Sequence, residues 1–192
     1  MNASREAKLE QYAALIRRWN PNINLVARSS VDDLETRHIQ DSLQLNDLAP
    51  STQGSWLDIG SGGGLPGLIL AICRPQNPFR LVDSDNRKVA FLQTVIRELS
   101  LSNCTAEAAR IENLAPAQAL IVSARALAPL NRLMPYLDRH LAPEGTAWLM
   151  KGRSWQTELD PARNSWRFEL QVHPSNTEDG AAILQIWNVQ HV

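Results

Sequence analysis

The chain has 192 residues, 44% of them hydrophobic and 20% charged, which is the composition of a soluble globular protein with one main core. Its formal net charge of −1 argues against a protein that holds nucleic acid through bulk electrostatic attraction alone. Two cysteines are too few for a disulfide framework, and no apolar run approaches the roughly 20 residues that span a bilayer. The composition therefore predicts a cytoplasmic protein.

Residues 1–50 are predicted to form a small helical extension. Ser4 is a suitable N-cap for a first helix, which should end at Pro21. A second helix should start at Ser30, with Asp33 in the capping-box position, and run to about Leu48. The apolar side chains of the first helix recur at helical spacing: Leu9, Tyr12, Ala13, Ile16 and Trp19.

Residues 51–192 are predicted to form one α/β domain, because short strands and helices alternate. The strands are expected at 55–59, 79–83, 104–108, 120–124 and 145–150. The helices are expected at 65–73, 86–101 and 130–141, with a short turn near 111–114. Two further strands, 166–172 and 181–189, follow each other directly across the polar loop 174–180, which indicates an antiparallel hairpin at the edge of a mostly parallel sheet.

The strongest local motif is WLDIGSGGGLPG at 56–67, where a buried strand leads through a glycine-rich turn into an apolar helix. Glycines let a ligand lie against the main chain, and the helix start offers free N–H groups. Asp83 ends the next predicted strand, where a carboxylate can accept hydrogen bonds from both hydroxyls of a ribose. The two features together predict an adenosine-containing ligand.

The loop alone leaves two adenosine ligands open. Gly60, Gly62 and Gly64 match the alternating glycines of class I methyltransferases, whereas Gly62, Gly64 and Gly67 also satisfy the dinucleotide pattern GxGxxG. The short chain and the final hairpin favour S-adenosylmethionine over a nicotinamide cofactor. The predicted fold is therefore the Rossmann-like fold of class I S-adenosylmethionine-dependent methyltransferases, with a seven-stranded sheet behind the helical extension.

Two methyl-transfer chemistries find no match in the sequence. Methylation at C5 of a pyrimidine needs a nucleophilic cysteine, but Cys73 and Cys104 are expected within a helix and at a strand start, away from the pocket. Methylation of an adenine amino group typically uses an Asp/Asn-Pro-Pro-aromatic stretch after the fourth strand, where this chain has Ala126-Leu127-Ala128-Pro129-Leu130.

Five blocks resemble the ribosomal RNA small subunit methyltransferase G family, formerly called glucose-inhibited division protein B. They are LIRRWNPNINL (15–25), RHIQDSL (37–43), LDIGSGGGLPG (57–67), LVDSDNRKVAFL (81–92) and ARALAPL (124–130), the last followed by LMKG (149–152). The first two blocks are far more specific than the glycine loop. The resemblance implies methyl transfer from S-adenosylmethionine to N7 of one guanine in 16S rRNA.

Matching positions in the family imply roles for individual residues. Asp83 would hold the ribose, Ile111 and Glu112 would lie beside the adenine, and Arg125 would lie at the pocket rim. The glycine loop would contact the cofactor through Gly60, Gly62, Gly64 and Leu65. No catalytic base is expected, because guanine N7 carries a lone pair and no proton, and no metal site is predicted.

On the substrate side, Arg37, His38 and Asp41 share one side of the second predicted helix and can form a polar cluster. Arg125 and Lys151 are the candidates for gripping RNA phosphates or the guanine O6 edge. Spacing alone also allows a purely structural His38 and a surface Lys151.

The expected partner is 16S rRNA, within the small ribosomal subunit or its assembly intermediate, and the expected state is a monomer with no membrane contact. Three alternatives remain open from the sequence: a methyltransferase of a small molecule or protein, an adenosine-binding module without catalysis, and a small nicotinamide-dependent reductase.

Overall fold

A computed structural model describes residues 4–51 and 54–192. The N-terminal extension begins with α1 (Arg5–Ile23), which the Ser4 hydroxyl caps as expected by accepting a hydrogen bond from the Ala7 N–H. The helix continues through Pro21 and ends at Ile23, so the expected stop at Pro21 is wrong. The carbonyl that proline leaves without an N–H partner belongs to the exposed Arg17, where water can bond to it.

The second predicted helix is also wrong in its first half. Ser30 lies in a 3-10 turn (Arg28–Ser30), and its hydroxyl donates to the Ala27 carbonyl instead of forming a capping box with Asp33. A π-helical turn (Glu35–Gln40) and α2 (Asp41–Leu48) follow. The predicted end at Leu48 is correct.

In the described part of the chain, seven strands form one sheet: β1 (Trp56–Ile59), β2 (Phe79–Asp83), β3 (Cys104–Ala108), β4 (Ala119–Arg125), β5 (Leu141–Lys151), β6 (Trp166–Pro174) and β7 (Ala182–His191). Their order is β3-β2-β1-β4-β5-β7-β6. The first five strands are parallel, and β7 pairs antiparallel with both β5 and β6. The predicted sheet and its C-terminal hairpin are confirmed.

The remaining helices are α3 (Gly67–Cys73), α4 (Asn86–Glu98), α5 (Leu130–His140) and α6 (Leu159–Arg163), with 3-10 turns at Ile111–Asn113 and Trp155–Glu158. The first of them starts two residues later than predicted, because Pro66 disfavours helical angles at Leu65. The short helical region 155–163 was not predicted, since its polar sequence has no clear apolar period.

Two apolar cores cover the two faces of the sheet. One core packs the extension against α3 and α4, and it includes Tyr12, Ile16, Leu45, Leu68 and Phe91. The other core packs α5 and α6 against the opposite face. The extension therefore shares its core with the sheet and is not a separate globule. Within the described residues, every helix is too short or too polar to cross a membrane.

Candidate cofactor and substrate site

The glycine loop follows the fully buried strand β1. Gly60, Gly62 and Gly64 have φ angles of +65°, +56° and +86°, in the left-handed region that favours glycine. A Cβ on Gly60 would lie 2.4 Å from Cδ1 of Leu127, while one on Gly62 would have 3.8 Å of space before the Gly60 carbonyl oxygen. The loop therefore keeps an open main chain at Gly62, beside the end of β2.

Asp83 lies against this loop, as the sequence predicted. The Gly62 N–H donates to its Oδ2 at 2.8 Å, and the Asp85 N–H donates to its Oδ1 at 2.9 Å. A carboxylate has about four lone-pair sites, so two remain for further donors such as ribose hydroxyls. The side chain is almost buried, which strengthens such hydrogen bonds.

The turn that carries Ile111 and Glu112 starts directly beside Asp83, whose carbonyl accepts a hydrogen bond from the Ala109 N–H at 3.0 Å. Ile111 is nearly buried, whereas Glu112 is exposed and lies 3.7 Å from Arg110. The structure thus places Asp83, which is expected at the ribose, next to the turn with Ile111 and Glu112, which are expected at the adenine.

The end of α5 holds this turn, which the sequence did not indicate. The fully buried His140 lies with Nε2 3.1 Å from the Ile111 carbonyl, and the Arg139 guanidinium donates to the Leu114 carbonyl at 3.0 and 2.6 Å. Because a carbonyl only accepts, Nε2 of His140 carries the proton. Burial lowers the pKa of His140, which keeps the ring neutral.

The extension supports the glycine loop from the other side. Tyr12 of α1 is fully buried, and its hydroxyl donates to the Gly63 carbonyl at 2.8 Å. Leu25 packs against Gly63, where a Cβ would approach the Leu25 side chain to 3.3 Å. Leu65, the last expected loop contact, is buried in the turn just before α3. Apolar periodicity placed Tyr12 in the core, but it could not reveal this hydrogen bond.

Asp58 lies beneath the loop and is fully buried. Its Oδ1 accepts a hydrogen bond of 2.5 Å from the Ser123 hydroxyl, which in turn accepts one from the Trp56 indole. Burial raises the pKa of Asp58 to about 6, and the Ser123 hydrogen bond opposes that shift. Its Oδ2 makes no hydrogen bond of good geometry to the described residues, although the Gly67 N–H is near enough to lower the pKa.

These residues fit an adenosine ligand. The open main chain at Gly62, the two free lone-pair sites of Asp83 and the apolar side chain of Ile111 match a nucleoside in hydrogen bonding and polarity. The loop also ends in the first N–H groups of α3, close to the carboxylate of Asp58.

A cleft of about 1160 Å³ opens next to the loop. Its walls come from four parts of the chain: the extension from Leu25 to Asp41, the segment from Arg125 to Pro129 after β4, the segment from Met150 to Arg153 at the end of β5, and the hairpin loop with its flank from Ser175 to Ile183. Leu127 belongs to the cleft and also lies over Gly60, so the cleft and the glycine loop are neighbours.

Arg125, His38 and Asp41 meet at the floor of the cleft, as the sequence predicted for the last two. The Arg125 guanidinium lies 3.0 Å from Nδ1 of His38 and 3.4 Å from Oδ2 of Asp41. Arginine can only donate, so Nδ1 accepts and Nε2 of His38 carries the proton. That proton points to the Ser30 hydroxyl at 2.7 Å, which donates onward to the Ala27 carbonyl at 2.8 Å.

This arrangement requires a neutral His38. Burial lowers its pKa to about 4, and the positive charges of Arg125 and Arg37 act in the same direction. Arg37 itself is exposed at the cleft wall, and among the described residues its guanidinium makes no ion pair. It is therefore free to meet an anionic group.

The hairpin loop closes the cluster from the C-terminal side. The Thr177 hydroxyl donates to Oδ1 of Asp41 at 2.8 Å, and Gln44 donates to the same carboxylate at 3.1 Å. The Asn176 N–H donates to the Gln44 side-chain oxygen at 2.5 Å. Neither Gln44 nor Thr177 was singled out from the sequence, because their contacts join segments more than 130 residues apart.

Lys151 is also at the cleft, but it is not an exposed surface lysine. Its side chain is 8% exposed, and its ammonium lies 2.6 Å from Oε2 of Glu158. It also donates to the Ala128 carbonyl at 2.8 Å. Glu158 lies in the short helical region that was not predicted.

Comparisons with known proteins identify the family of the chain. The family model for rRNA small subunit methyltransferase G matches residues 5–184. The chain belongs to this family. A Ribosomal RNA small subunit methyltransferase G of Paracoccus denitrificans (strain Pd 1222) is 53% identical over 192 residues, which are 100% of both chains. The protein of the same name from Acidiphilium cryptum (strain JF-5) is 48% identical over 180 residues, 93% of this chain and 82% of that one. The family predicted from the five blocks is confirmed.

Solved structures agree on the fold. A SAM-dependent methyltransferase from Aquifex aeolicus has a TM-score of 0.62 at 14% identity, covering 92% of this chain and 97% of its own. An MtNAS mutant in complex with S-adenosylmethionine has a TM-score of 0.65 at 15% identity, covering 95% and 75%. At these identities the likeness shows the fold alone, and it confirms the predicted class I methyltransferase fold.

The family's specific blocks lie where the site is built. The block RHIQDSL supplies Arg37, His38 and Asp41 to the cleft, and ARALAPL supplies Arg125 and Leu127. In this rRNA small subunit methyltransferase G chain, the blocks that carry family identity therefore line the cleft as well as the glycine loop.

Proposed function

We propose that this protein transfers a methyl group from S-adenosylmethionine to N7 of a guanine in 16S rRNA of the small ribosomal subunit. The observation that carries the proposal is the contact between two sites: Leu127 lies over Gly60 of the nucleoside loop and also lines a cleft built from the family's own blocks. Two substrates bound on the two sides of Leu127 would lie next to each other.

On the cofactor side, Asp83 accepts hydrogen bonds from the ribose hydroxyls while the Gly62 N–H keeps its carboxylate in place. Ile111 offers an apolar surface to the adenine, with Glu112 beside it, and the glycine loop contacts the cofactor through Gly60, Gly62, Gly64 and Leu65. S-adenosylmethionine supplies a methyl group on a positively charged sulfur, which needs no further activation by the protein.

On the substrate side, Arg125 is the residue that selects the base. His38 and Asp41 hold its guanidinium, and its remaining N–H groups can donate to guanine O6. A contact to O6 leaves the N7 lone pair free, whereas a contact to N7 would block the reaction. The Asp41 carboxylate also lies near the purine, where positive charge develops during the transfer.

No residue of the cleft has to remove a proton, because N7 of guanine carries none. Catalysis then rests on holding the base, which the His38 and Asp41 contacts to Arg125 accomplish. The unpaired Arg37 at the rim is suited to an RNA phosphate. Lys151 has its ammonium on Glu158 and the Ala128 carbonyl, so its proposed place is in the wall of the cleft rather than on an RNA phosphate.

The cleft is large for a single base, since small-ligand pockets usually enclose about 300–1,000 Å³. Its volume of about 1160 Å³ suits a nucleotide with its neighbours. We further propose that the protein works as a monomer in the cytoplasm. Among the described residues, large apolar side chains that are exposed are few and scattered: Leu48, Leu127, Val172 and Val192.

The test is to incubate the purified protein with labelled S-adenosylmethionine and three substrates: naked 16S rRNA, small subunits and assembly intermediates, all from cells that lack the enzyme. We expect label at N7 of one guanine, and much less label with the variant Asp83→Asn at the same low cofactor concentration. Label on a protein or a small molecule, or cofactor binding without any transfer, would contradict the proposal. Light scattering, which measures the molar mass in solution, tests whether the protein is a monomer.

A further inference from the structure

The loop between β4 and α5 connects the two halves of the site. It runs from Ala126, which has a φ of +50°, to Pro129, and Leu127 lies between Gly60 and the cleft. Arg125 precedes it directly. A shift of this loop would therefore move both the guanine-binding arginine and the side chain between the two substrates.

The start of α5 lacks a cap of its own. Pro129 at the N-cap position offers no side-chain hydrogen bond, and the first free N–H, that of Leu130, donates to Oε2 of Glu158 at 2.7 Å. A carboxylate at a helix N-terminus is favourable for both the hydrogen bond and the helix dipole. Glu158 thus fixes the far end of the loop.

The same carboxylate holds a lysine that fixes the middle of the loop. Oε2 of Glu158 lies 2.6 Å from the Lys151 ammonium, which donates to the Ala128 carbonyl at 2.8 Å. The lysine side chain is 8% exposed and that of the glutamate 21%. A lysine with so little solvent needs a partner charge, because an unpaired buried ammonium is strongly unfavourable.

We propose that Lys151 and Glu158 are positioning residues for methyl transfer: together they hold the β4–α5 loop so that Leu127 and Arg125 align the guanine with the cofactor. The inference rests on the proposed function. It assigns Lys151 an effect on the rate of transfer within the bound complex, not on the affinity for RNA. It also assigns a role to Glu158, which lies outside the sequence blocks of the family.

The experiment compares Lys151→Met, Glu158→Gln and the double variant in single-turnover methylation of the RNA substrate. Glu158→Gln keeps an oxygen for the Leu130 N–H and so guards against a mere folding defect. We expect each single variant to slow transfer about 10- to 100-fold, since small misplacements of reacting groups cost about 100-fold. The double variant should be at most about twofold slower than the slower of the two single variants, because both substitutions break one contact.

RNA binding separates positioning from direct contact. In all three variants, we expect the Kd for RNA to stay within about twofold of the wild-type value and its salt dependence to be unchanged. If Lys151→Met instead weakened RNA binding and lowered the salt slope by about one while transfer in the complex was unchanged, the lysine would be a phosphate contact and the proposal would be overturned. Additive effects of the two substitutions would overturn it as well.

A matched control is the ion pair Arg80–Glu107, which joins β2 and β3 at the same N···O distance of 2.6 Å. Arg80→Met and Glu107→Gln should leave the transfer rate unchanged. A second readout needs no RNA: hydrogen exchange of the Leu130 amide should speed up in Lys151→Met and in the double variant. If the exchange rate of this amide did not change in the variants, the positioning role would be overturned, even if the wild-type protein methylated no RNA. If exchange became faster but the wild-type protein methylated no RNA, only the proposed function would be overturned.

Discussion

The cofactor side and the substrate side of the site differ in how the chain builds them. The cofactor side uses residues from 58 to 112, at the ends of adjacent parallel strands and in the turns that follow them. The cleft combines the N-terminal extension, the ends of β4 and β5, and the hairpin loop near residue 177. A parallel sheet brings the first set together by its topology alone, whereas the second set depends on individual side-chain contacts.

If the cofactor side depends on local geometry, a single carboxylate, that of Asp83, should have the largest effect on cofactor affinity. We expect Asp83→Asn to weaken binding of S-adenosylhomocysteine about 100-fold, or roughly 2.7 kcal/mol, because a charged acceptor of two ribose hydroxyls is lost. Calorimetry measures this directly. The control is Asp85→Asn, which keeps the N-cap of α4 but removes its charge and its ion pair with Arg87, and should leave the affinity within about twofold. Equal effects of the two variants would sink the assignment of Asp83.

The next variant tests whether the cofactor side is truly local. Tyr12→Phe removes a buried donor and leaves the Gly63 carbonyl unpaired. We expect the free energy of unfolding to fall by about 1–3 kcal/mol and binding of S-adenosylhomocysteine to weaken. Tyr136→Phe is the matched control, since that hydroxyl makes no hydrogen bond to the residues that the structure describes. Denaturant titration measures the stability of both variants, and calorimetry measures their cofactor affinity. If Tyr12→Phe and Tyr136→Phe gave the same values, the extension would not act on the loop.

A third variant addresses the cleft alone. Thr177→Val removes the hydroxyl between the hairpin loop and Asp41 while keeping the side-chain volume. We expect the KM for RNA to rise about 3- to 10-fold, the value of one hydrogen bond, with cofactor affinity unchanged. Thr94→Val, whose hydroxyl bonds the Ala90 carbonyl within α4, should change neither quantity. A change in cofactor affinity with Thr177→Val would erase the distinction between the two sides.

The last prediction is a pH dependence of stability. His38 has a pKa of about 4 in the folded protein, lowered from 6.5 chiefly by burial. Between these values the unfolded chain binds a proton that the folded chain does not, so the free energy of unfolding falls as the pH is lowered. This contribution is present in full above pH 6.5 and is lost as the pH falls towards 4.

The measurement is urea denaturation of the wild type and His38→Gln from pH 4 to pH 8. Asp58, with its raised pKa, changes stability in the opposite direction over part of this range, but it does so in both proteins. The difference between the two curves therefore isolates His38. A difference that does not change with pH would mean that the pKa of His38 is the same in the folded and unfolded chains, contrary to its burial and its contact with Arg125.

The sequence predicted the parallel strands, the C-terminal hairpin and the position of Asp83 beside the glycine loop, because these follow from periodicity and from where strands end. Gly60, Gly62 and Asp83 were placed correctly relative to each other for this reason. Helix boundaries were less predictable: the capping box at Ser30 failed because the serine hydroxyl bonds Ala27 and His38 instead. A local pattern cannot show when a side chain finds a more distant partner.

On the cleft side, helical spacing placed His38 near Asp41, although the backbone there is partly a π-helical turn. Both contact Arg125, which the family implied at the pocket rim and which lines the cleft. Thr177 and Glu158 could not be found, because the polar segments that hold them have no period and no motif. Their importance lies in single hydrogen bonds across the fold, and those depend on the finished tertiary structure.

The contact between the hairpin loop and α2 has a consequence for synthesis on the ribosome. Of the four walls of the cleft, the loop around Thr177 emerges last, while all residues of the cofactor side emerge before β4. A nascent chain that ends before the hairpin loop already contains the glycine loop. It still lacks Thr177 and Asn176, which form hydrogen bonds with Asp41 and Gln44. The guanine site therefore cannot be complete in any newly made copy before the hairpin loop has been synthesised.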